Sequence, residues 1–185
     1  MNAERTMTRT ALAVGLGWAA LAGVADPAEA KEVYVGASVH AADTPFTLDT
    51  GEGGTDIQFG LRSDPISGLR AIGTPSAYIH GQASLRGETS LAAAGLSWKF
   101  GSLVYVRPGI GLAIHTGKIP RTGPNGERTD LGSRILFEPE IAVGVRLSPR
   151  LAAEASWVHV SHAQLFGGQN PGMDFIGGRL VLKID

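Results

Sequence analysis

The stretch SRILFEPEIAVGVRL, Ser133 to Leu147, decides the fold because its side chains alternate in character along the chain. One alternate set is apolar and is broken only by Pro139: Ile135, Phe137, Ile141, Val143, Val145 and Leu147. The other set includes four charged residues: Arg134, Glu138, Glu140 and Arg146. A period of two is the period of a β-strand, so the stretch is predicted to form a strand with one apolar and one charged face.

The same alternation recurs along the chain and predicts eight strands. Their approximate ranges are 32–41, 55–63, 76–84, 89–100, 103–116, 131–147, 151–163 and 173–184. Several exceed the five or six residues usual in a soluble sheet and reach the roughly nine to eleven that a tilted strand needs to cross a bilayer. Eight antiparallel strands can close into a barrel without a free edge. We therefore predict an all-β fold, an eight-stranded antiparallel transmembrane β-barrel.

The charged face decides between a soluble and a membrane barrel. In a soluble barrel the charged face would contact water and the apolar face would line the interior. Here the charges of the 131–147 strand are joined by Arg107 on the preceding long strand. A dry core would have to pair every such charge, whereas an outer-membrane barrel is polar inside and apolar outside. The pattern favours the membrane barrel.

The N-terminus has the features of an export signal. Arg5 and Arg9 precede a short apolar run, Ala11–Val24, and the small-x-small site Ala28-Glu29-Ala30 follows. A basic start, an apolar centre and such a site are typical of a cleaved signal peptide rather than a membrane anchor. Residues 1–30 are predicted to be this peptide and residues 31–185 the barrel. Because the chain has no cysteine, no disulfide holds the exported fold together.

Loop lengths predict how the barrel is oriented. With an even number of strands both chain ends lie in the periplasm, where outer-membrane barrels have their short turns. The predicted outer loops, 42–54, 117–130 and 164–172, are long, as expected. The connections 64–75 and 85–88 depart from this rule. A net charge of −1 gives no electrostatic reason to expect a nucleic-acid partner.

Two polar residues stand on the apolar face of the seventh strand. His159 and Ser161 share the face of Trp157, and counting by twos along the eighth strand places Asp174 on its apolar face. Polar groups facing lipid are costly and mark functional sites. A serine nucleophile, a histidine base and an acidic orienter form a hydrolase site. The alternative is a set of solvated residues at the barrel rim.

Several segments resemble the lipid A 3-O-deacylase family of outer-membrane barrels: HVSHA (159–163), NPGMD (170–174), RPGIGLAIHTGK (107–118) and LGSRILF (131–137). The resemblance implies an esterase that removes the 3-O-linked acyl chain of lipid A in the outer leaflet by a serine mechanism. The family's histidine and serine match His159 and Ser161. Where the family has an asparagine that assists the oxyanion, this chain has His162. Where the family has a glutamate as the acid, it has Asp174, displaced by one residue.

Other interpretations stay open at this point. A small barrel without catalytic activity would serve adhesion or envelope integrity, and an acyltransferase would need room inside the barrel for an acyl chain. Homodimerisation is left open as well. Neither a cofactor nor a metal is predicted, because the odd spacing of His159 and His162 sends them to opposite faces. His40, His80 and His115 have no partner at ligand spacing and are predicted to be rim or lumen residues.

Overall fold

The computed structural model describes residues 30–47, 50–117, 131–162 and 172–184, so all of the predicted signal peptide except Ala30 lies outside the described residues. Eight long strands account for most of the described chain. They are β1 (Ala30–His40), β2 (Gly54–Ser63), β3 (Ser76–Ser84), β4 (Leu91–Ser97), β5 (Val104–His115), β6 (Ile135–Arg146), β7 (Leu151–Val160) and β8 (Met173–Lys183). No helix in the described ranges has the length and apolar character needed to cross a membrane.

The strands form one closed antiparallel ring, which confirms the predicted fold. Each strand pairs with the next in the chain, and β8 pairs with β1 to close the barrel, for example at Val33 opposite Leu182. Phe100–Gly101 extends the β4 ladder along β5. The strand predicted at 131–147 begins only at Ile135, because Gly132 has a φ of +68° that a strand cannot accommodate.

The apolar faces point outward. Val143, Ile110 and Leu180 are each more than half exposed, as are Val35 and Ile135 on other strands. Such residues alternate with buried ones along β5 and β6. An apolar outer band of this kind contacts lipid in an outer-membrane barrel.

Charged side chains fill the half of the lumen nearer the chain termini. Arg62 donates to both oxygens of Glu154, at 3.4 and 3.2 Å. Arg179 donates to Glu140 at 2.7 Å. Because removing a charge from water costs several kcal/mol unless it is paired, these contacts offset the cost of burying the four residues. Arg107, which pairs with Glu32, and Glu138, which accepts from Tyr78, are also buried there.

The prediction of a polar inner face holds for only part of the lumen. Near the opposite end, where β1, β3, β5 and β7 end and which is here called the site end, an apolar layer lies in the lumen. This layer contains Leu91, Ala93, Ala113, Leu131, Leu136, Val158, Val160, Met173 and Phe175. Two charges assigned to the inner face by alternation, Arg134 and Arg146, are exposed instead, because each lies at an end of β6 where the lumen opens.

The connections 64–75 and 85–88, whose lengths depart from the expected pattern, both fold compactly. The 64–75 connection contains a 3₁₀ helix, Ser67–Ile72, that ends at Gly73 with a φ of +89°. Trp98 Nε1 donates to the Ile72 carbonyl at 2.7 Å, which ties this connection to the end of β4. The 85–88 connection is a tight turn with Gly87 at a φ of +75°.

The three histidines away from the predicted site differ in their surroundings. His80 lies in the lumen and stacks on Tyr34 with ring centroids 5.9 Å apart, and His115 bonds to the Ser133 carbonyl at 2.7 Å. The expectation that His40 has no ligand-type partner is wrong. Its Nε2 lies 3.0 Å from a carboxylate oxygen of Glu52, because the β1–β2 connection folds back over the strand end.

Candidate active site

His159 and Asp174 face each other across the β7–β8 pair. They are direct register partners, and Nδ1 of the ring lies 2.6 Å from Oδ1 of the carboxylate. The Asp174 side chain is fully buried, whereas the His159 side chain is 18% exposed. An Nδ1–H donated to a buried carboxylate leaves Nε2 as the basic nitrogen, so the pair has the arrangement of a histidine base and its orienting acid.

A glycine packs against the reactive edge of the imidazole. A Cβ atom placed on Gly172 would lie 2.7 Å from Cε1 and 3.2 Å from Nε2 of His159. The φ of Gly172 is +62°, in the left-handed region that favours glycine. Gly172 therefore allows the backbone at the start of β8 to pass close to the ring without displacing it.

The β1–β2 connection completes the environment of the acid, and the sequence pattern gave no sign of this. Thr44 donates its hydroxyl hydrogen to Oδ2 of Asp174, the oxygen that His159 does not use. The backbone N–H of Ala42 donates to the Asp174 carbonyl at 2.8 Å. Both carboxylate oxygens thus accept a hydrogen bond, and these fix the orientation of the carboxylate relative to the ring.

Ser161 continues β7 past its last residue and keeps the same face as His159. Its backbone N–H donates to the Phe137 carbonyl at 3.0 Å, and the Phe137 N–H donates to the Ser161 carbonyl at 2.7 Å. Residues two apart on a strand are spaced about 6.6 Å along it. Within the described part of the chain the Ser161 hydroxyl forms no hydrogen bond with the imidazole. A hydrogen bond between the two side chains would therefore require side-chain rotation.

Pro139 interrupts the β6–β7 ladder beside His159. The regular pairing runs as far as Glu140 opposite Val158 and resumes only at Phe137 opposite Ser161. Hydrogen-bonded pairs recur at every second residue of an antiparallel ladder, so Pro139 takes the place that would donate to the His159 carbonyl. Proline has no N–H. The ladder therefore lacks one hydrogen bond beside His159, between the pairs at Val158 and Ser161.

An apolar groove on the lipid-facing surface has His159 in its lining. It encloses about 360 Å³, and its lining includes Phe46, Pro108, Pro139, Ile141, Trp157 and His159. The rings of Phe46 and Trp157 meet at a centroid distance of 5.4 Å and form one wall. Pro108 and Pro139 lie on the adjacent strands β5 and β6, and the groove is deep where they lie because their side chains are short. A hydrocarbon chain suits such a lining because it requires no polar partner.

His162 points to the other side of the wall. Its ring is fully buried, and its Nε2 would lie 2.3 Å from a Cβ on Gly132. The ring therefore packs against the Gly132 backbone on the lumen side, whereas Ser161 and His159 face outward. The structure thus brings His159 and Asp174 into contact, places Ser161 on their face, and separates the His162 ring from them.

Comparison with known proteins assigns the family. The family model described as "Lipid A 3-O-deacylase (PagL)" matches residues 71–183, more than half of the chain. The crystal structure of the outer membrane enzyme PagL aligns with a TM-score of 0.56 at 20% identity, over 82% of this chain and 99% of that one. The Yersinia pestis outer membrane protein Ail aligns with a TM-score of 0.44 at 9% identity, over 82% and 99%. Among curated protein sequences none is significantly similar to this chain. The closed ring of eight strands agrees with the PagL structure, and the match of the family model shows that this outer-membrane β-barrel belongs to the lipid A 3-O-deacylase (PagL) family.

Proposed function

We propose that this enzyme removes the 3-O-linked hydroxyacyl chain of lipid A with Ser161 as nucleophile, His159 as general base and Asp174 as the acid that orients the base. The observation that carries the proposal is the 2.6 Å bond between His159 and Asp174 on the outer surface of the barrel. On a lipid-facing surface, an apolar pair of side chains would stabilise the barrel at a lower free-energy cost than a buried carboxylate and a partly exposed imidazole. A structural role therefore does not account for this polar pair. Family membership supports a hydrolase acting on lipid A.

The chemistry proceeds in two stages. His159 Nε2 takes the proton of the Ser161 hydroxyl as Oγ attacks the ester carbonyl carbon, and Asp174 stabilises the imidazolium that forms without itself taking the proton. The bond between the carbonyl carbon and the sugar oxygen then breaks, and His159 returns the proton to that oxygen. Water, deprotonated by the same imidazole, hydrolyses the acyl-enzyme and releases a hydroxy fatty acid.

The groove explains why the site faces outward. An acyl chain lying against Trp157 and Ile141 would be in contact with the same groove that His159 lines, so its ester could reach the imidazole. Lipid A would then react without leaving the leaflet, provided that the site end of the barrel faces the cell exterior. The filled lumen supports this arrangement over an acyltransferase with an internal acyl chain, because paired charges and an apolar layer occupy the interior.

The oxyanion of the tetrahedral intermediate needs hydrogen-bond donors near the Ser161 hydroxyl. Because the His162 ring lies on the lumen side, we expect backbone N–H groups that follow Ser161, rather than this ring, to supply the donors. Loss of one such donor typically lowers turnover by about 10²–10³.

The decisive experiment compares lipid A by mass spectrometry from cells that express Ser161→Ala, His159→Ala, or the control Ser102→Ala, which lies in an exposed turn at the far end of the barrel. We expect loss of one hydroxyacyl mass with the wild type and with Ser102→Ala, and no loss with the other two. Full deacylation by Ser161→Ala would refute the serine mechanism. An added acyl mass with the wild type would indicate a transferase, and unchanged lipid A with all forms would indicate a barrel without catalytic activity.

A further inference from the structure

A second cluster of polar side chains lies at the site end, apart from the proposed catalytic residues. It joins His40 at the end of β1, Glu52 in the β1–β2 connection and Glu88 in the β3–β4 turn. One ligand-type atom from each lies within 4.8 Å of the others. His40 Nε2 lies 3.0 Å from Oε2 of Glu52 and 3.9 Å from Oε2 of Glu88. Three segments distant in the chain thus direct one nitrogen and two carboxylates to a single point.

The histidine is held so that its Nε2 faces the two carboxylates. Asp56 is fully buried, and both of its oxygens lie 2.9 Å from His40 Nδ1. Asp56 is fixed in turn by Gln82, whose Nε2 donates to it at 2.7 Å. A carboxylate that accepts the Nδ1–H of an imidazole fixes its orientation and makes Nε2 a better ligand, as in many metal sites.

The two glutamates are also positioned by hydrogen bonds. The Thr89 backbone N–H and hydroxyl donate to Glu52, at 3.0 and 3.1 Å. The Gly53 N–H donates to Glu88 at 3.0 Å. Counting Asp56, three carboxylates surround one imidazole in a largely buried position. A cation with two charges would balance this set better than one proton on the ring.

We propose that His40, Glu52 and Glu88 form a binding site for a divalent transition-metal cation such as Zn²⁺. One imidazole and two carboxylates, with a water as the fourth ligand, match the nitrogen and oxygen donors that Zn²⁺ takes in tetrahedral sites. Bonds of about 2.0–2.1 Å place tetrahedral ligand atoms roughly 3.3 Å apart, and the separations of 3.0 and 3.9 Å bracket this value. The cation binds His40 through an unprotonated Nε2, while Nδ1 stays hydrogen-bonded to Asp56.

The site would act on the β1–β2 connection. His40 and Glu52 stand at the two ends of the segment that carries Thr44 and Phe46, so a bound cation would fix both ends and join them to the β3–β4 turn. Its role is therefore structural, and the gain in stability does not depend on the proposed hydrolysis.

The test uses the full barrel, refolded in detergent and stripped of metal, with Zn²⁺ as the only probe. Calorimetric titration should show one Zn²⁺ per chain, and Zn²⁺ should raise the unfolding temperature. Glu88→Gln changes a side chain that is 27% exposed and should fold as the wild type does. It should bind at least about tenfold more weakly and lose the temperature shift, and Asp56→Asn should weaken binding about 10–100-fold. Asp64→Asn, an exposed residue at the opposite end, should bind as the wild type does. Equal binding by the wild type and Glu88→Gln, or a wild type that binds no Zn²⁺, would overturn the proposal, and these readouts are independent of whether Ser161 is the nucleophile.

Discussion

Replacement of Gly172 by alanine should misplace His159, the proposed catalytic base, without unfolding the barrel. The added Cβ would lie 2.7 Å from His159 Cε1, whereas ordinary contact begins at 3.4 Å. The ring or the start of β8 must therefore shift by about 0.7 Å, the difference between these distances. A misplacement approaching 1 Å can lower a rate by about 10², so we expect hydrolysis of lipid A to fall between about tenfold and a hundredfold.

The same substitution also has a backbone cost, and a second glycine separates the two effects. The φ of Gly172 is +62°, and alanine in this region is less stable by about 1–2 kcal/mol. Gly51 has a φ of +63°, and a Cβ there would meet no atom within 4 Å. Gly51→Ala should therefore lower the free energy of unfolding by a similar amount and leave the rate unchanged.

The rate is measured as hydroxy fatty acid released from lipopolysaccharide by detergent-refolded protein. The free energy of unfolding is measured separately, by urea denaturation monitored by tryptophan fluorescence. Similar loss of stability in both variants, with loss of rate only in Gly172→Ala, is the expected result. If Gly172→Ala hydrolysed lipid A within about twofold of the rate of Gly51→Ala, the imidazole of His159 would not be the base that the glycine positions.

Four further substitutions test other contacts. Asp174→Asn should keep the barrel intact but lower the rate by up to about 10⁴, since an amide favours the wrong tautomer of the base; a rate near that of the wild type in the release assay would remove Asp174 as the acid. Thr44→Val should slow release by about tenfold or more, because a hydrogen bond to a charged group contributes about 1.5–3 kcal/mol, and unchanged kinetics would show that the contact is dispensable. Val143→Lys should impair insertion into lipid vesicles by about 2–4 kcal/mol, whereas Arg146→Gln, at the exposed end of β6, should have little effect; equal insertion of the two would contradict the assigned lipid face. His162→Ala should retain activity if backbone groups stabilise the oxyanion, and a loss of 10²–10³ in turnover would return that role to its ring.

Alternation along the chain was sufficient to predict the strands and their outer faces. Because successive side chains point to opposite faces of a strand, the lipid-facing position of Val143 follows from the local pattern alone. The pairing of His159 with Asp174 was predictable for a related reason. Both lie on the outer face of adjacent strands in one hairpin, so only the register between β7 and β8 remained to be determined.

Contacts between distant segments could not be predicted in this way. Thr44 is 130 residues from Asp174 in the chain, and no periodic pattern connects a loop residue with the far end of the sequence. The apolar layer of the lumen was not predicted, because the charges of β6 suggested an interior that is polar along its whole length. Alternation gives the face of a residue, whereas its depth in the barrel depends on how the strands are staggered. The contacts of Glu52 and Glu88 with His40 could not be predicted for a similar reason. The alternation along the strands does not determine the path of the connections between them.

The bond between Thr44 and Asp174 has a consequence for biogenesis. Among the described strands β1 is synthesised before all others and β8 after them, and their pairing closes the barrel. Ala42 and Thr44 contact Asp174 only across the β1–β8 pairing. Closing the barrel therefore forms contacts between residues that are far apart in the chain, and such contacts generally form late. An open or partly inserted barrel would therefore hold its acid in place by the hairpin alone. The hydrolase would mature only as the ring closes, and an unfinished copy would pass the inner membrane and periplasm without attacking lipid A on its way to the cell surface.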